Sequence, residues 1–250
     1  MKIADHRFLG LPAAKPRVWI DLSSMASKRA GLAMHSPGRK VLRWAVKVLG
    51  WFALLPIEKV LHGPVKRFDE LDGHEVIERI VEGWSRRVEY LTLYMGNDSV
   101  KTKLTVLVGM SRSGESKSKG NVIVKLGRTP EAGEAIRNEV AILRRLETTN
   151  LRPQVPAVCG DVGTFENWTW SMQSVLPKGK SPVRMQKEHY EFLEELKKLG
   201  ISHGDFAPWN CSIVSGKLFV YDWEDVGPWE EGKDESWFKG QVKKLLGIDA

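Results

Sequence analysis

Cysteine is scarce: Cys159 and Cys211 are the only two in 250 residues. Two thiols cannot build a disulfide framework or a thiolate metal cluster, so nothing here points to an oxidising compartment. Long apolar runs are missing too. The longest uncharged one, Val48 to Ile57, is about half of the ~20 residues a membrane-spanning helix needs. The start, MKIADHRFLGLPAAKPR, has no apolar block followed by a small-residue cleavage site, so no secretory leader is expected and the expected location is cytoplasmic. No repeat of fixed period and no long low-complexity tract occurs, which excludes a solenoid.

What is present reads as a globular chain. Hydrophobic residues make up 42% and charged residues 28%, an ordinary balance for a folded soluble protein. The net charge of +7 is unevenly placed. Residues 1–70 hold 13 Lys and Arg against 5 Asp and Glu, which leaves 25 basic and 26 acidic residues for the remainder. All the excess positive charge lies at the start, and a domain binding nucleic acid over its whole face does not usually divide this way. No helix-turn-helix, zinc-ligand or aromatic-sheet motif supports nucleic acid either, so no nucleic-acid partner is expected.

Three regions differ in texture. Residues 1–87 are basic, aliphatic and tryptophan-rich, and read as largely helical. Between Arg39 and Leu55 the apolar residues keep helical spacing, while Arg39, Arg43 and Lys47 form one narrow stripe. Two readings stand side by side for residues 39–55. In one, the helix packs on the body with its cations in water. In the other it lies at a membrane surface, with Trp44, Trp51 and Phe52 in the headgroup layer and the cations on anionic lipid.

Residues 88–176 read as strands around one helix. Val88–Met95 and Thr102–Val108 are rich in β-branched and aromatic residues and flank the turn chemistry of Gly96-Asn-Asp-Ser. Asn121–Leu126 completes a three-stranded meander. Pro130 opens a helix with Thr129 as its cap, and the apolar spacing runs to Leu146. Two short strands, 157–165 and 168–176, follow. Residues 177–250 read as a helix over 184–198, a loop of unusual composition, a hairpin turning at Ser215-Gly216, and a polar terminal helix.

The loop His203-Gly-Asp-Phe-Ala-Pro-Trp-Asn210 carries the most specific chemistry. An aspartate and an asparagine five positions apart on a Pro-containing loop can converge on one small volume. The carboxylate then serves a hydroxyl nucleophile and the amide oxygen a metal. Twelve residues beyond Asn210, the hairpin delivers Asp222-Trp-Glu-Asp225, which places a carboxylate at a strand end where a hard divalent cation finds oxygen. Upstream, Val122-Ile-Val-Lys125 ends in lysine, and Glu139 sits about two and a half turns into the next helix. Taken alone, each of these residues is as readily an ordinary solvated side chain.

Together and in this order, Val-Ile-Val-Lys, a helix Glu, His-Gly-Asp-(four residues)-Asn and Asp-Trp-Glu resemble the aminoglycoside phosphotransferase and choline-kinase-like group. The resemblance covers about residues 88–225 and rests on four elements in register. It implies an α+β, two-lobed protein-kinase-like fold with an antiparallel N-lobe sheet and a reduced helical C-lobe, preceded by the basic N-terminal region. It divides the chain at 1–87, 88–176 and 177–250. Its implied cofactors are ATP and Mg2+. Lys125 would hold the α- and β-phosphates, fixed by Glu139, and Asp205 would act as catalytic base or orient the acceptor hydroxyl. Asn210 and Asp222 would bind Mg2+. Met172, Gln173, Ser174 and Val175 would form the hinge that meets adenine, and the turn at Gly96 would cover the phosphates. Such an array suits phosphoryl transfer, where the protein chiefly positions in-line groups and neutralises charge.

Several residues keep a structural reading. His203 is expected to brace the loop, Phe206 and Trp209 to pack it against the lobe, and Cys211 to be a small buried residue. Asp234 matches a family carboxylate that braces the catalytic loop, and Glu224 and Asp225 are either metal-proximal or solvated. The chain also departs from the family. Its phosphate cover has one glycine, and the stretches after the hinge and after Asp225 are about 25 residues each, too short for the helical insertions that wall an acceptor pocket in antibiotic kinases. The expected acceptor is a small molecule or glycan. An open site beside a basic, Trp-bearing helix suits a sugar on a lipid carrier or a growing glycan, such as a surface-polysaccharide sugar, better than a small free metabolite. The competing expectation is a catalytically silent kinase-like scaffold at the inner face of the membrane.

Overall fold

The computed structural model describes residues 5–12, 14–34, 63–84, 87–95, 102–111, 120–179 and 181–247. The expected helix over 39–55 and the turn at Gly96 lie outside the described residues. The chain forms two compact units, Met1–Gly133 with Gly163–Trp170, and Glu134–Val162 with Ser171–Ala250.

An eight-stranded sheet organises the first unit. Its strands are β1 (Arg7–Leu11), β2 (Val18–Asp21), β3 (Val65–Arg67), β4 (Arg87–Met95), β5 (Lys103–Ser111), β6 (Gly120–Gly127), β7 (Gly163–Phe165) and β8 (Trp168–Ser174), in the spatial order β3-β1-β2-β4-β5-β6-β8-β7. The pairings with described register are antiparallel. The β4–β5–β6 meander forms as its composition predicts: Leu104, Val106 and Val108 are buried, and Thr105 and Leu107 between them are half-buried. The basic N-terminal region, read as helical, contributes β1, β2 and β3 as well. In β1 and β2 nearly every residue is buried, so the alternation that marks a half-exposed strand never appears.

Close approach calls for glycine at Gly31 and Gly109, among other positions. A Cβ on Gly31 of α1 (Met25–Met34) would come within 2.5 Å of the Ile20 side chain on β2. One on Gly109 would stand 2.1 Å from the Tyr90 ring, whose hydroxyl donates to Asn121 across the sheet at 3.1 Å. Beneath this sheet the fully buried Asp21 accepts hydrogen bonds from His6 Nδ1 at 2.9 Å, the Ser23 amide at 2.8 Å and the Leu91 amide at 3.3 Å. One carboxylate thereby ties β2 to β4 and to the residue before β1. The short helix α2 (His74–Glu82) buries Val76, Ile77 and Ile80.

The second unit begins within α3 (Pro130–Leu146), whose first turn is capped by Thr129: its hydroxyl accepts the Ala132 amide at 3.1 Å. α4 (Lys187–Lys198) starts three residues later than the expected 184, because Gln186 and His189 cap it reciprocally. β9 (Ile201–Ser202) pairs with β12 (Gly227–Pro228), and β10 (Cys211–Val214) forms a hairpin with β11 (Lys217–Val220). Ser215 and Gly216 both have positive φ, 50° and 72°, the backbone of a two-residue hairpin turn that matches strand twist. α5 (Lys233–Leu246) closes the unit. Its core gathers Leu143, Leu146, Phe192, Leu196, Phe206, Leu218, Val220, Trp223 and Phe238, none more than 1% exposed.

Candidate active site

The loop between β9 and β10 is fixed from below by aromatic packing and from the side by α5. Phe206 is fully buried, its ring 6.1 Å from Phe192, 5.9 Å from Phe238 and 6.0 Å from His203. Trp209 instead remains 49% exposed, so of the two aromatics expected to pack the loop only Phe206 does. Asp234, in the first turn of α5, accepts the His203 amide at 2.7 Å and the Gly204 amide at 3.0 Å. A buried carboxylate therefore satisfies two adjacent backbone donors and holds the turn shut. Gly204 cannot be replaced without strain: its φ is +84°, and a Cβ would stand 2.0 Å from the Asp225 carbonyl oxygen.

The His203 ring is buried against Trp223, with centroids 4.6 Å apart. Its Nε2–H donates to the Tyr221 carbonyl at 2.9 Å, since a carbonyl can only accept. Burial pushes the imidazole below its ordinary range, against the pull of Asp234, the Tyr221 carbonyl, Asp222 and Asp205. The ring is thus neutral, with a bare Nδ1 that has no hydrogen-bond partner among the described residues. His203 is a strut between the loop and the strand end. Burial likewise pushes the Cys211 thiol far up, which makes it inert.

Asp205 is half-buried and held at both oxygens. Asn210 Nδ2 donates to Oδ2 at 2.8 Å and to the Asp205 carbonyl at 3.0 Å, and Trp237 Nε1 donates to Oδ1 at 2.7 Å. The two acceptors on one side of the Asn210 amide assign its nitrogen, which turns Oδ1 away from Asp205. The Tyr221 amide donates to the Asn210 carbonyl at 2.9 Å and carries the β10–β11 ladder on to Asp222. Asp222 adopts φ +61°, a left-handed conformation that is uncommon for a non-glycine residue and costs about 1–3 kcal/mol. Trp223 follows, fully buried, its amide donating to Glu139 Oε1 at 3.2 Å and its indole to the Val220 carbonyl at 3.1 Å. Glu139 of α3 therefore also anchors the strand end that bears Asp222. On the other side, the Tyr221 hydroxyl donates to the Pro177 carbonyl at 2.7 Å and lies 2.6 Å from Ser212 Oγ.

The remaining predicted residues fall on strands. Lys125 lies on β6 of the first unit, opposite Thr105 of β5 and 8% exposed. Met172, Gln173 and Ser174 end β8, and Val175 follows it. The Met172 carbonyl accepts the Cys159 amide and the Ser174 amide donates to the Ala157 carbonyl, each at 2.8 Å. Backbone groups alternate between strand edges, so those of Gln173 face away from residues 157–159. A polar cavity of about 420 Å³ opens in the first unit, lined among others by Lys66, Asp72, His74, Arg128 and Trp168. It includes none of the residues singled out from the sequence.

The fold has a counterpart among solved structures. The amicoumacin kinase hAmiN, in complex with AMP-PNP, Ca2+ and Ami, matches with a TM-score of 0.52 at 13% identity over 73% of this chain and 72% of that one. The chain has a protein-kinase-like fold. WbdD, co-crystallised with the kinase inhibitor LY294002, aligns over 62% of this chain and 37% of that one at 18% identity, with a TM-score of 0.39. The kinase PK-1 of Cydia pomonella granulovirus aligns over 62% and 57% at 17% identity, with a TM-score of 0.37. No protein-family profile and no curated protein matches the sequence.

Sequence reasoning missed Trp237. Its signal is its distance from Asp234: three positions apart on one helix, the two side chains lie on one face. That face meets the Asp205 loop.

Proposed function

We propose that this chain is a phosphotransferase of the aminoglycoside phosphotransferase and choline-kinase-like group. In this reading it is ATP- and Mg2+-dependent and transfers the γ-phosphoryl group to a hydroxyl of a sugar or glycan-type acceptor. The observation that carries the reading is Asp205, half-exposed yet fixed at both oxygens, beside an asparagine whose amide oxygen is turned away from it. That is the arrangement a reaction governed by positioning requires. The solved state of hAmiN, with AMP-PNP and Ca2+, supports a nucleoside triphosphate and a divalent cation as cofactors.

Each side chain then has a task. Asp205 receives the proton of the acceptor hydroxyl, or orients that hydroxyl, while the Asn210 and Trp237 donors keep its carboxylate in one rotamer. Lys125 holds the α- and β-phosphates. Adenine meets the hinge at Gln173 and Val175, the alternate positions of Met172–Val175 whose backbone is not turned to residues 157–159. Among the described residues no cluster of three or more His, Cys, Asp or Glu forms a metal centre. Asn210 Oδ1 and the Asp222 carboxylate are two hard oxygen donors, a set that fits Mg2+, which keeps water and phosphate oxygens in its other positions. Bound there, Mg2+ supplies charge neutralisation on the phosphate oxygens. The division at 1–87, 88–176 and 177–250 then separates an accessory region from the nucleotide and catalytic regions. Work at the cytoplasmic membrane face, through residues 39–55 on anionic lipid, belongs to the same proposal. Among the described residues no helix is long and apolar enough to cross a membrane.

A second reading, the silent scaffold, draws on the same contact: an indole on Asp205 Oδ1 leaves the carboxylate less able to accept a proton. Two measurements decide between them. Mg-ATP raises the melting temperature of both the native protein and Asp205→Ala, and ADP release in the presence of sugar acceptors disappears only in the variant. No thermal shift and no ADP release from the native chain leaves the scaffold.

A further inference from the structure

Among the described tryptophans, Trp19, Trp168 and Trp223 are buried and Trp84, Trp170 and Trp229 half-buried, whereas Trp209, at 49%, and Trp237, at 43%, are exposed. Tryptophan is highly buried on average, so an exposed indole is informative when it has company and a fixed orientation. Both conditions hold here. Trp237 is pinned by its Nε1–H on Asp205 Oδ1 at 2.7 Å, which fixes the indole edge while much of the ring remains in solvent. Trp209 stands in the short 3-10 turn Pro208–Asn210, between a proline that restricts its backbone and the asparagine that holds Asp205 Oδ2. That turn packs against α5, the helix of Trp237. Each oxygen of the central carboxylate is thus held by a donor that is itself an exposed indole or the chain neighbour of one.

We infer that Trp209 and Trp237 form an aromatic acceptor subsite for a pyranose ring, which lays its C–H face on indole and turns a hydroxyl toward Asp205. The inference rests on the phosphotransferase reading above for the fate of that hydroxyl, but not for the binding itself. A pyranose has the required duality, an apolar face and a rim of hydroxyls, while a carboxylate held by one exposed indole, with a second next in chain to its other donor, offers matching surfaces. Ligand sites characteristically join aromatic walls to a few placed polar groups. The subsite also answers the missing helical insertions: α5, read from sequence only as a polar terminal helix, supplies one wall from a single turn.

The test follows the two indole N–H resonances of the full chain by NMR, assigned with Trp209→Phe and Trp237→Phe. D-glucose, D-galactose, D-mannose, L-rhamnose and N-acetyl-D-glucosamine are titrated, with sorbitol as the acyclic control and adenosine as the flat aromatic control. At least one pyranose is expected to shift both resonances saturably, with sorbitol and adenosine shifting neither. Trp209→Ala and Trp237→Ala should each weaken that binding about 10-fold, and Trp237→Phe, which keeps a ring, by less than about 3-fold. The subsite is overturned if no pyranose moves either resonance, if sorbitol or adenosine moves them equally, or if the alanine variants bind unchanged. Mg-AMP-PNP binding, measured separately by melting temperature, keeps the two claims apart. A protein that binds nucleotide but no pyranose loses the subsite and keeps the phosphotransferase reading. One that binds a pyranose through both indoles but no nucleotide does the reverse.

Discussion

Two aspartates, one in each unit, are each held by hydrogen bonds at both oxygens, yet they serve opposite ends. Asp21 is completely buried and accepts from His6 and from the Ser23 and Leu91 amides. Its partners come from three separate segments of the first unit, so the carboxylate works as a rivet. Asp205 also has both oxygens engaged, by Asn210 and Trp237, but it stays half-exposed and each oxygen accepts a single hydrogen bond among the described residues. The contrast separates two uses of one side chain: sealed from water it stabilises, and open to water with a fixed rotamer it suits the catalytic role proposed for it. Asp234 belongs with Asp21, for it is buried and its two acceptors hold the backbone beneath Asp205.

That contrast can be broken by substitution. The largest effect is expected at Asp205: in Asp205→Ala turnover with a productive acceptor falls about 10³-fold, the scale of a lost general base and its positioning, while urea denaturation is nearly unchanged. Asp21→Ala should reverse the pattern. It leaves His6 and two backbone amides without their acceptor, and a loss of about 3–4 kcal/mol in unfolding free energy is expected by urea titration. Should Asp21→Ala unfold like the native chain, or Asp205→Ala be the less stable of the two, the distinction fails.

Gly204→Ala probes the support rather than the carboxylate. The left-handed backbone and the 2.0 Å approach to the Asp225 carbonyl predict a loss of about 2–3 kcal/mol, together with loss of the Trp237–Asp205 contact, visible as a shift of that indole resonance. The smallest effect concerns pH. His203 and His189 are both depressed, chiefly by burial, so the unfolded chain binds more protons than the folded one in mildly acidic solution. Their contribution to stability is complete above the ordinary histidine pKa of about 6.5 and is lost as pH falls below it. Stability from urea titrations should decline from pH 7 to pH 5 by at most about 1.4 kcal/mol per pH unit for each histidine, and His203→Gln should flatten the slope. An unchanged slope in that variant would place the titration elsewhere.

The second unit was the more legible in sequence because its signals are local. Pro130 with Thr129 marks a helix start, Ser215-Gly216 demands a hairpin turn, apolar spacing delimits α3, and a helix is read over 184–198; in the structure these elements fall where expected, to within a few residues. The first unit hid three strands. β1 and β2 are five and four residues long and almost wholly buried, with prolines close by, so neither length nor alternation betrayed them. Within the loop, Asp205 and Asn210 could be singled out from their spacing, and Asp234 from the resemblance. Trp237 carried only an indirect signal, its spacing of three from Asp234, because nothing in a helix sequence itself says which loop lies across from it. Trp209 misled for a related reason: a large aromatic beside a proline is read as core, and burial depends on what stands opposite.

What the sequence determined by itself is the order of the elements around the site and the residue types they carry, since helix caps, hairpin turns and strand composition act over a few bonds. Tertiary structure alone decided that Glu139 anchors the Trp223 amide, that His203 is a neutral strut, and that an indole from the last helix grips Asp205. Each of these depends on burial and on partners between 18 and 84 positions away. Desolvation and long-range hydrogen bonding exist only once the chain has closed on itself.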